Sequence, residues 1–383
     1  MQYRQLGNTG MSASIIGLGS EFLDKKPYEA VESTMHAALD HGINIMDLFM
    51  PGEEVRRHIG RALRGRRDKM IIQGHIGSTD INEQYDVSRD LGTCKRYFED
   101  LMRFLETDYI DCGMLFFMDS DESLEKIEQN GILDYARDLK RQGTIRAIGA
   151  SSHNPRIAAK MVEKGMIDML MFSINAAFDM TSSRKDVLET LGDGFSAQTF
   201  ETGLDPERMA LYRLCERNGV GITVMKSLGA GKLLSAEHTP FSRPMTVGQC
   251  VHYVLTRPAV TSALVGCQSP EHVADAVRYL ELSDTEKDYT DIVNESRGSA
   301  MSGSCVYCNH CQPCPVEIDI AGVNKYLDIA LLDPDNIPPS VRQHYASLQA
   351  AGSDCISCGS CEERCPFSVP VIERMAQAAR LLE

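Results

Sequence analysis

Short apolar runs alternate with amphipathic stretches through the first three quarters of the chain. Eight runs predict strands: Ile15–Leu18, Ile43–Met46, Met70–Gln73, Cys112–Phe117, Ile145–Ala150, Met169–Ile174, Gly221–Met225 and Ser262–Val265. Each is continuously apolar rather than alternating, as a strand covered on both faces of a parallel sheet requires. Between them, helical periodicity covers Tyr28–Asp40, Glu53–Leu63, Cys94–Leu105, Leu133–Arg141, Arg156–Lys164, Pro206–Arg217 and Pro270–Leu280. Eight such units predict an α/β fold, a (β/α)8 TIM barrel with its active site at the C-terminal strand ends. Ahead of them, Tyr3–Leu6 and Ser12–Ile15 flank Asn8-Thr9-Gly10, a hairpin signature. Such a hairpin would plug the barrel floor. The rhythm breaks twice. The polar, Gly-rich stretch Thr181–Asp205 follows the sixth strand and is long enough to fold over the active face as a lid, or to be a surface loop. The Ser- and Gly-rich stretch Ser296–Ser304 marks a boundary between a barrel of residues 1–295 and a mainly helical domain of residues 296–383. In the latter, Ile320–Leu332, Pro339–Ala350 and Val371–Leu382 have helical periodicity.

Cysteine spacing changes the picture most. Eight of the thirteen cysteines fall in two runs, Cys305, Cys308, Cys311, Cys314-Pro315 and Cys355, Cys358, Cys361, Cys365-Pro366. The second is C-x2-C-x2-C-x3-C-P, the bacterial ferredoxin spacing, and the first is one residue shorter before its last cysteine. Three closely spaced thiolates wrap one face of a cubane, and the fourth reaches the other cluster. The expected sets are Cys305, Cys308, Cys311 and Cys365 on one [4Fe-4S] cluster, and Cys355, Cys358, Cys361 and Cys314 on the second, in a dicluster ferredoxin-like domain. Zinc is the alternative for C-x2-C pairs. A disulfide framework fits poorly, because nothing marks the chain as secreted. Cys94, Cys112, Cys215, Cys250 and Cys267 sit in helix or strand patterns and read as buried small hydrophobes.

Charge narrows the partners. A formal net charge of −15 argues against a nucleic-acid footprint and against anionic membrane surfaces. The opening MQYRQLGNTG lacks a signal-peptide pattern, and no apolar run is long enough to cross a bilayer. The expected compartment is cytoplasmic. The 19 methionines read as core filler.

Several motifs, in order, resemble the aldo/keto reductase superfamily over most of residues 3–295. They are Leu6-Gly7-Asn8-Thr9-Gly10, Ile16-Gly17-Leu18-Gly19, Gly42-Ile43-Asn44 leading to Asp47, and Ile148 through Asn154. Met225 through Leu233, Arg257 through Ser262, and Gly266 complete the series. The cysteine runs resemble the C-terminal extension of an iron–sulfur branch of that family. The resemblance implies carbonyl reduction with NADPH by an Asp, Tyr, Lys and His at successive strand ends. Here only Asp47 stands in place. Phe49-Met50-Pro51-Gly52 offers no Tyr, Gly74-His75 replaces the Lys, and Phe116-Phe117-Met118 replaces the His. The resemblance also implies nicotinamide contacts from Ser151, Ser152, Asn154 and Asn175. It implies a pyrophosphate-facing segment with Lys226, Ser227, Leu228, Gly229 and Gly231, and a second cofactor-binding segment with Gly266, Gln268 and Glu271. Met171 and Ile174 depart from the family Gln and stacking Tyr. No G-x-G-x-x-G is present, and Gly229-Ala230-Gly231-Lys232 falls short of a P-loop.

Glu21, Asp47, His75, His153 and Asn175 converge on one mouth if the barrel forms. A carboxylate beside an imidazole favours its charged form, so Asp47 and His75 are the expected proton-donor pair, with His153 as a further catalytic candidate. A metal held by Glu21, Asp47, His75 and His153 is a further alternative. Three functions follow. The first is an iron–sulfur oxidoreductase that reduces a small molecule at the mouth with electrons relayed by two [4Fe-4S] clusters, supplied by a ferredoxin or other redox protein. The second is an NADPH-dependent carbonyl reductase with an altered acid. The third is a non-enzymatic electron carrier. NADP(H) is the second expected cofactor, and a flavin is left open.

Overall fold

The computed structural model describes residues 1–82, 84–183, 191, 200, 203–295, 303 and 305–383. Twelve strands are present among them: β1 Tyr3–Gln5, β2 Ser12–Ser14, β3 Ile16–Gly19, β4 Ile45–Leu48, β5 Ile71–Ile76, β6 Ser78–Ile81, β7 Gln84–Val87, β8 Ile110–Leu115, β9 Ile145–Ser152, β10 Met169–Ser173, β11 Gly221–Met225 and β12 Val260–Gly266. Eight of them close a parallel barrel in the order β3-β4-β5-β8-β9-β10-β11-β12 and back to β3. Each predicted apolar run forms one barrel strand. The strands are buried almost without interruption, because helices cover their outer faces and side chains fill the interior.

β1 and β2 pair antiparallel below the barrel. Leu6, Met11 and Ala13 from this hairpin pack against Ile45, Ile71, Cys112, Met114, Ala147 and Met169, closing the floor with an apolar plug. Gly7 permits the docking. Its φ is +53°, and a Cβ there would lie 2.3 Å from the Gly219 carbonyl oxygen and 2.4 Å from the Gly221 nitrogen at the foot of β11.

The second antiparallel pair, β6 with β7, rises from the end of β5 at the opposite, C-terminal face. Sequence periodicity missed it, because its residues are mostly polar and half of them exposed. Helices Asp121–Gln129 and Val247–Leu255 were also not foreseen. The first is a charged helix that buries only Leu124 and Ile127. Most of the expected lid Thr181–Asp205, and nearly all of the expected boundary Ser296–Ser304, lie outside the described residues.

After the barrel, helices Ile320–Ala330, Pro339–Ala346 and Val371–Leu382 pack on one another. They dock on the barrel through polar contacts, of which the one from Arg257 is buried. Arg257 donates to the Val306 carbonyl, Arg217 donates to the Asn336 carbonyl at 3.3 Å, and Glu216 lies 3.6 Å from His344. Arg257, Glu216 and Arg217 all precede a barrel strand, so they mark the strand N-terminal end. The C-terminal helices are thus anchored toward the floor, away from the mouth. No helix among the described residues is long and apolar enough to cross a membrane.

Candidate active site

A cavity of about 740 Å³ opens at the C-terminal ends of the barrel strands. Its walls include Ser20 and Glu21 after β3, Asp47 on β4, Phe116 and Phe117 after β8, Ser151 and His153 at the end of β9, Met171 on β10 and Lys226 after β11. Three of these positions carry ionisable groups held in defined arrangements.

Asp47 and His75 form a buried pair, with His75 Nε2 at 2.7 Å from Asp47 Oδ1. The His75 side chain is fully buried. Its ring meets Phe116 edge-on at 5.1 Å and Phe49 at 6.2 Å. Asp47 lines the cavity; His75 is not among its walls and stands behind the carboxylate. The pair therefore presents an oxygen, not an imidazole nitrogen, to the cavity.

His153 is placed differently. Its Nδ1 lies 2.8 Å from Asp119 Oδ2, its backbone N–H donates to Asp119 Oδ1 at 2.6 Å, and the Ser152 hydroxyl donates to the same oxygen at 2.9 Å. Burial works to raise the Asp119 pKa, but these hydrogen bonds and the imidazole outweigh it and hold the carboxyl below its ordinary value. His153 is buried in the cavity wall beside Phe117, and its Nε2 has no protein partner. Nothing in the sequence singled out Asp119, which sits in the loop Met118-Asp119-Ser120 between strand and helix. Tyr85 is a second missed residue. The β6–β7 hairpin carries it to the cavity wall, 5.2 Å from Phe49 and 6.2 Å from Phe116 by ring centroids.

The residues expected to meet a nicotinamide divide into two sets. Ser151, Lys226, Ser227, Leu228, Gly231, Gly266 and Gln268 line the cavity. Ser152, Asn154, Asn175, Gly229 and Glu271 are not among its walls. Asn154 caps helix Pro155–Glu163, accepting from the N–H groups of Arg156 and Ile157, and donates to the Asp119 carbonyl. Asn175 accepts from the Phe178 N–H and donates to the Lys226 carbonyl at 2.9 Å. That bond steadies Lys226, whose φ is +59°. Burial lowers the Lys226 pKa, and Glu21, Asp119 and Asp47 oppose the shift. Lys226 is the one Lys or Arg in the cavity wall among the described residues. Also among the described residues, no three His, Cys, Asp or Glu side chains gather around a point fit for a single metal ion. The alternative of a metal on Glu21, Asp47, His75 and His153 therefore has no geometry behind it.

Residues 15–193 match the family model described as the aldo/keto reductase family. The likeness covers residues 15–193, just under half of the chain. The chain is 29% identical over 164 residues to the aldo-keto reductase YhdN of Bacillus subtilis, a match spanning 40% of this chain and 47% of YhdN. It is 25% identical over 296 residues to the uncharacterized oxidoreductase YqkF of the same organism, spanning 73% of this chain and 90% of YqkF. The fold resembles the aldo-keto reductase AKR11C1 of Bacillus halodurans in its holo form, with a TM-score of 0.56, 22% identity, and coverage of 78% of this chain and 96% of that one. It also resembles the putative aldo-keto reductase PA4992 of Pseudomonas aeruginosa, with a TM-score of 0.54, 22% identity, and coverage of 73% and 95%.

The cysteine runs form a separate feature. Cys305, Cys308, Cys311 and Cys365 line one cleft, and Cys314, Cys355, Cys358 and Cys361 line another. Arg364 ties the runs together, donating to the carbonyls of Cys311 and Pro313, both at 2.7 Å. The remaining five cysteines are buried in the barrel. Burial pushes the Cys94 thiol up to about 11 and that of Cys267 up to about 12, so neither is a ready nucleophile at neutral pH. The relay of electrons from clusters to the mouth, expected first from the sequence, gains no support. The family likeness lies in the barrel, and the cysteine segment is anchored toward the opposite end.

Proposed function

We propose that the chain is a nicotinamide-dependent oxidoreductase that interconverts a small carbonyl compound and its alcohol at the barrel mouth. The observation that carries this reading is His153, a residue of the cavity wall whose buried Nε2 has no protein partner while Asp119 holds Nδ1. A carboxylate on one ring nitrogen fixes the ring and leaves the other nitrogen to serve a ligand. Ser151, Lys226, Ser227, Leu228, Gly231, Gly266 and Gln268 would hold the dinucleotide, which supplies hydride when bound. His153 gives the proton on Nε2 to the carbonyl oxygen as that oxygen becomes a hydroxyl, and takes a new proton from solvent. Asp47, backed by His75, positions the ligand from the other wall. Phe49, Phe116 and Phe117 keep that part of the cavity apolar. The test is nicotinamide oxidation by purified protein offered a panel of small aldehydes and ketones. Turnover that falls sharply in His153→Gln is expected. Absence of turnover with every carbonyl and either nicotinamide would sink the reading.

A second reading concerns the C-terminal segment. The two four-cysteine clefts support two [4Fe-4S] clusters, the first on Cys305, Cys308, Cys311 and Cys365 and the second on Cys355, Cys358, Cys361 and Cys314. A cubane spreads its thiolates over the corners of a cluster, so the lack of a tight single-ion site does not weigh against it. Anchorage toward the floor favours exchange with a separate redox protein over supply to the mouth. Iron and sulfide content of anaerobically isolated protein tests the clusters. Cys365→Ser is expected to remove the spectroscopic signature of the first, and Cys314→Ser that of the second. Protein with stoichiometric zinc and no sulfide would overturn the reading.

A further inference from the structure

The two four-cysteine clefts have different surroundings. The first is closed in by protein. Val306 and Tyr307, between its first two cysteines, are buried, as are Phe367 and Val369 in its wall. Arg257 and the Tyr289 hydroxyl donate to the Val306 carbonyl, and His310 Nδ1 lies 2.9 Å from Asp288 Oδ2, so the barrel side covers this run. The second cleft opens outward. Ser357 and Cys358 are exposed. Ile356 belongs to the same wall as Cys358 and is 61% exposed, the most of any large hydrophobic side chain among the described residues. Together they make a small apolar outer wall on that cleft.

Carboxylates flank this wall. Glu317 and Asp319 follow Cys314, Asp354 precedes Cys355, and Glu363 follows Cys361; all four are exposed. Asp354 accepts from the Ala351 N–H at 2.8 Å, and Glu317 accepts from the Gln349 side-chain amide at 2.7 Å. Both partners are neutral and leave the charge in place. Arg364 is the one basic residue in the stretches 314–319 and 354–364, and it spends its guanidinium on the Cys311 and Pro313 carbonyls. A cubane held by four thiolates adds negative charge of its own.

We propose that the Ile356–Cys358 face is the port at which the second cluster exchanges single electrons with a carrier protein of basic surface, while the first cluster is the enclosed member of the pair. The inference rests on the two-cluster reading above and adds to it the exchanging cluster and the charge of its partner. Redox encounters between proteins use small surfaces, and opposite charge steers them. One electron moves in each encounter. One centre is oxidised as the other is reduced, with no bond made or broken and no proton moved.

The test uses the full chain isolated anaerobically, reduced with dithionite and freed of excess reductant. It is mixed in a stopped-flow spectrometer with oxidised cytochrome c, a basic one-electron carrier, and haem absorbance gives the rate. The second cluster loses one electron and the haem iron gains it. Wild type is expected to react at least about tenfold faster at low than at high ionic strength, because salt screens opposite charges. The double variant Asp354→Lys/Glu363→Lys should be about tenfold slower than wild type at low salt. Glu122→Lys, on the charged helix Asp121–Gln129, should match wild type. Cys314→Ser should abolish the fast phase, and Cys365→Ser should keep it. A double variant as fast as wild type, or a fast phase lost in Cys365→Ser and kept in Cys314→Ser, would overturn the port while leaving the clusters in place. Protein without iron and sulfide would remove both.

Discussion

At the scale of single residues, two histidines share one cavity region but not one task. His153 belongs to the cavity wall and His75 does not, although both are buried and both hold a carboxylate. His153→Gln should therefore lower kcat by roughly 10²–10⁴-fold, the usual range for a lost proton donor, with KM little changed. His75→Gln keeps hydrogen-bonding capacity beside Asp47, so it should cost thermal stability more than turnover. Steady-state kinetics on both variants, with Tyr85→Phe as a third, separates the roles. Loss in Tyr85→Phe with His153→Gln near wild type would pass the donor's role to the tyrosine. The sequence exposed Asp47, His75 and His153 through their strand-end positions, which follow from periodicity. Asp119 and Tyr85 were hidden, because a loop aspartate before a helix looks like any cap, and Tyr85 arrives on a hairpin with no apolar pattern.

Among elements, the eight barrel strands were legible because each is buried on both faces and leaves a continuous apolar run. The β6–β7 pair and helix Asp121–Gln129 were not, since the first is mostly polar and half exposed and the second buries only Leu124 and Ile127. The floor hairpin was legible from its turn, and its docking can be measured. Gly7→Ala puts a Cβ into the Gly219 carbonyl at 2.3 Å and strains a φ of +53°. A loss of about 2–3 kcal/mol is expected in denaturant unfolding. Gly10→Ala, with φ +75° but nothing within 4 Å, should lose only about 1 kcal/mol. Equal losses would mean that backbone strain alone, not the close approach, sets the cost.

Over the whole molecule, the barrel and the C-terminal helices are joined by contacts from charged side chains, Glu216 and Arg257 among them. Burial works to raise the Glu216 carboxyl, but His344, nearby Lys325 and the Ala259 N–H outweigh it and bring its pKa to about 2. The folded value lies below the ordinary one of 4.5, so the stabilisation is complete above that pH and drains away as pH falls toward about 2. Its upper bound is about 3 kcal/mol, reduced by Lys325, whose own burial pulls its pKa down. Thermal melts across that acid range should show a flatter loss in Glu216→Gln than in wild type; parallel curves would remove the assignment. The cysteine segment was legible in spacing alone, whereas its attachment was not, because nothing in the residues around Glu216 and Arg257 marks a docking face. That attachment has a practical side. With the cysteines seated at one pole and the ligand space at the other, oxygen that bleached the proposed clusters would leave the proposed carbonyl chemistry running. A colourless sample that still turns over should then be read as a half-intact machine, not as a different enzyme.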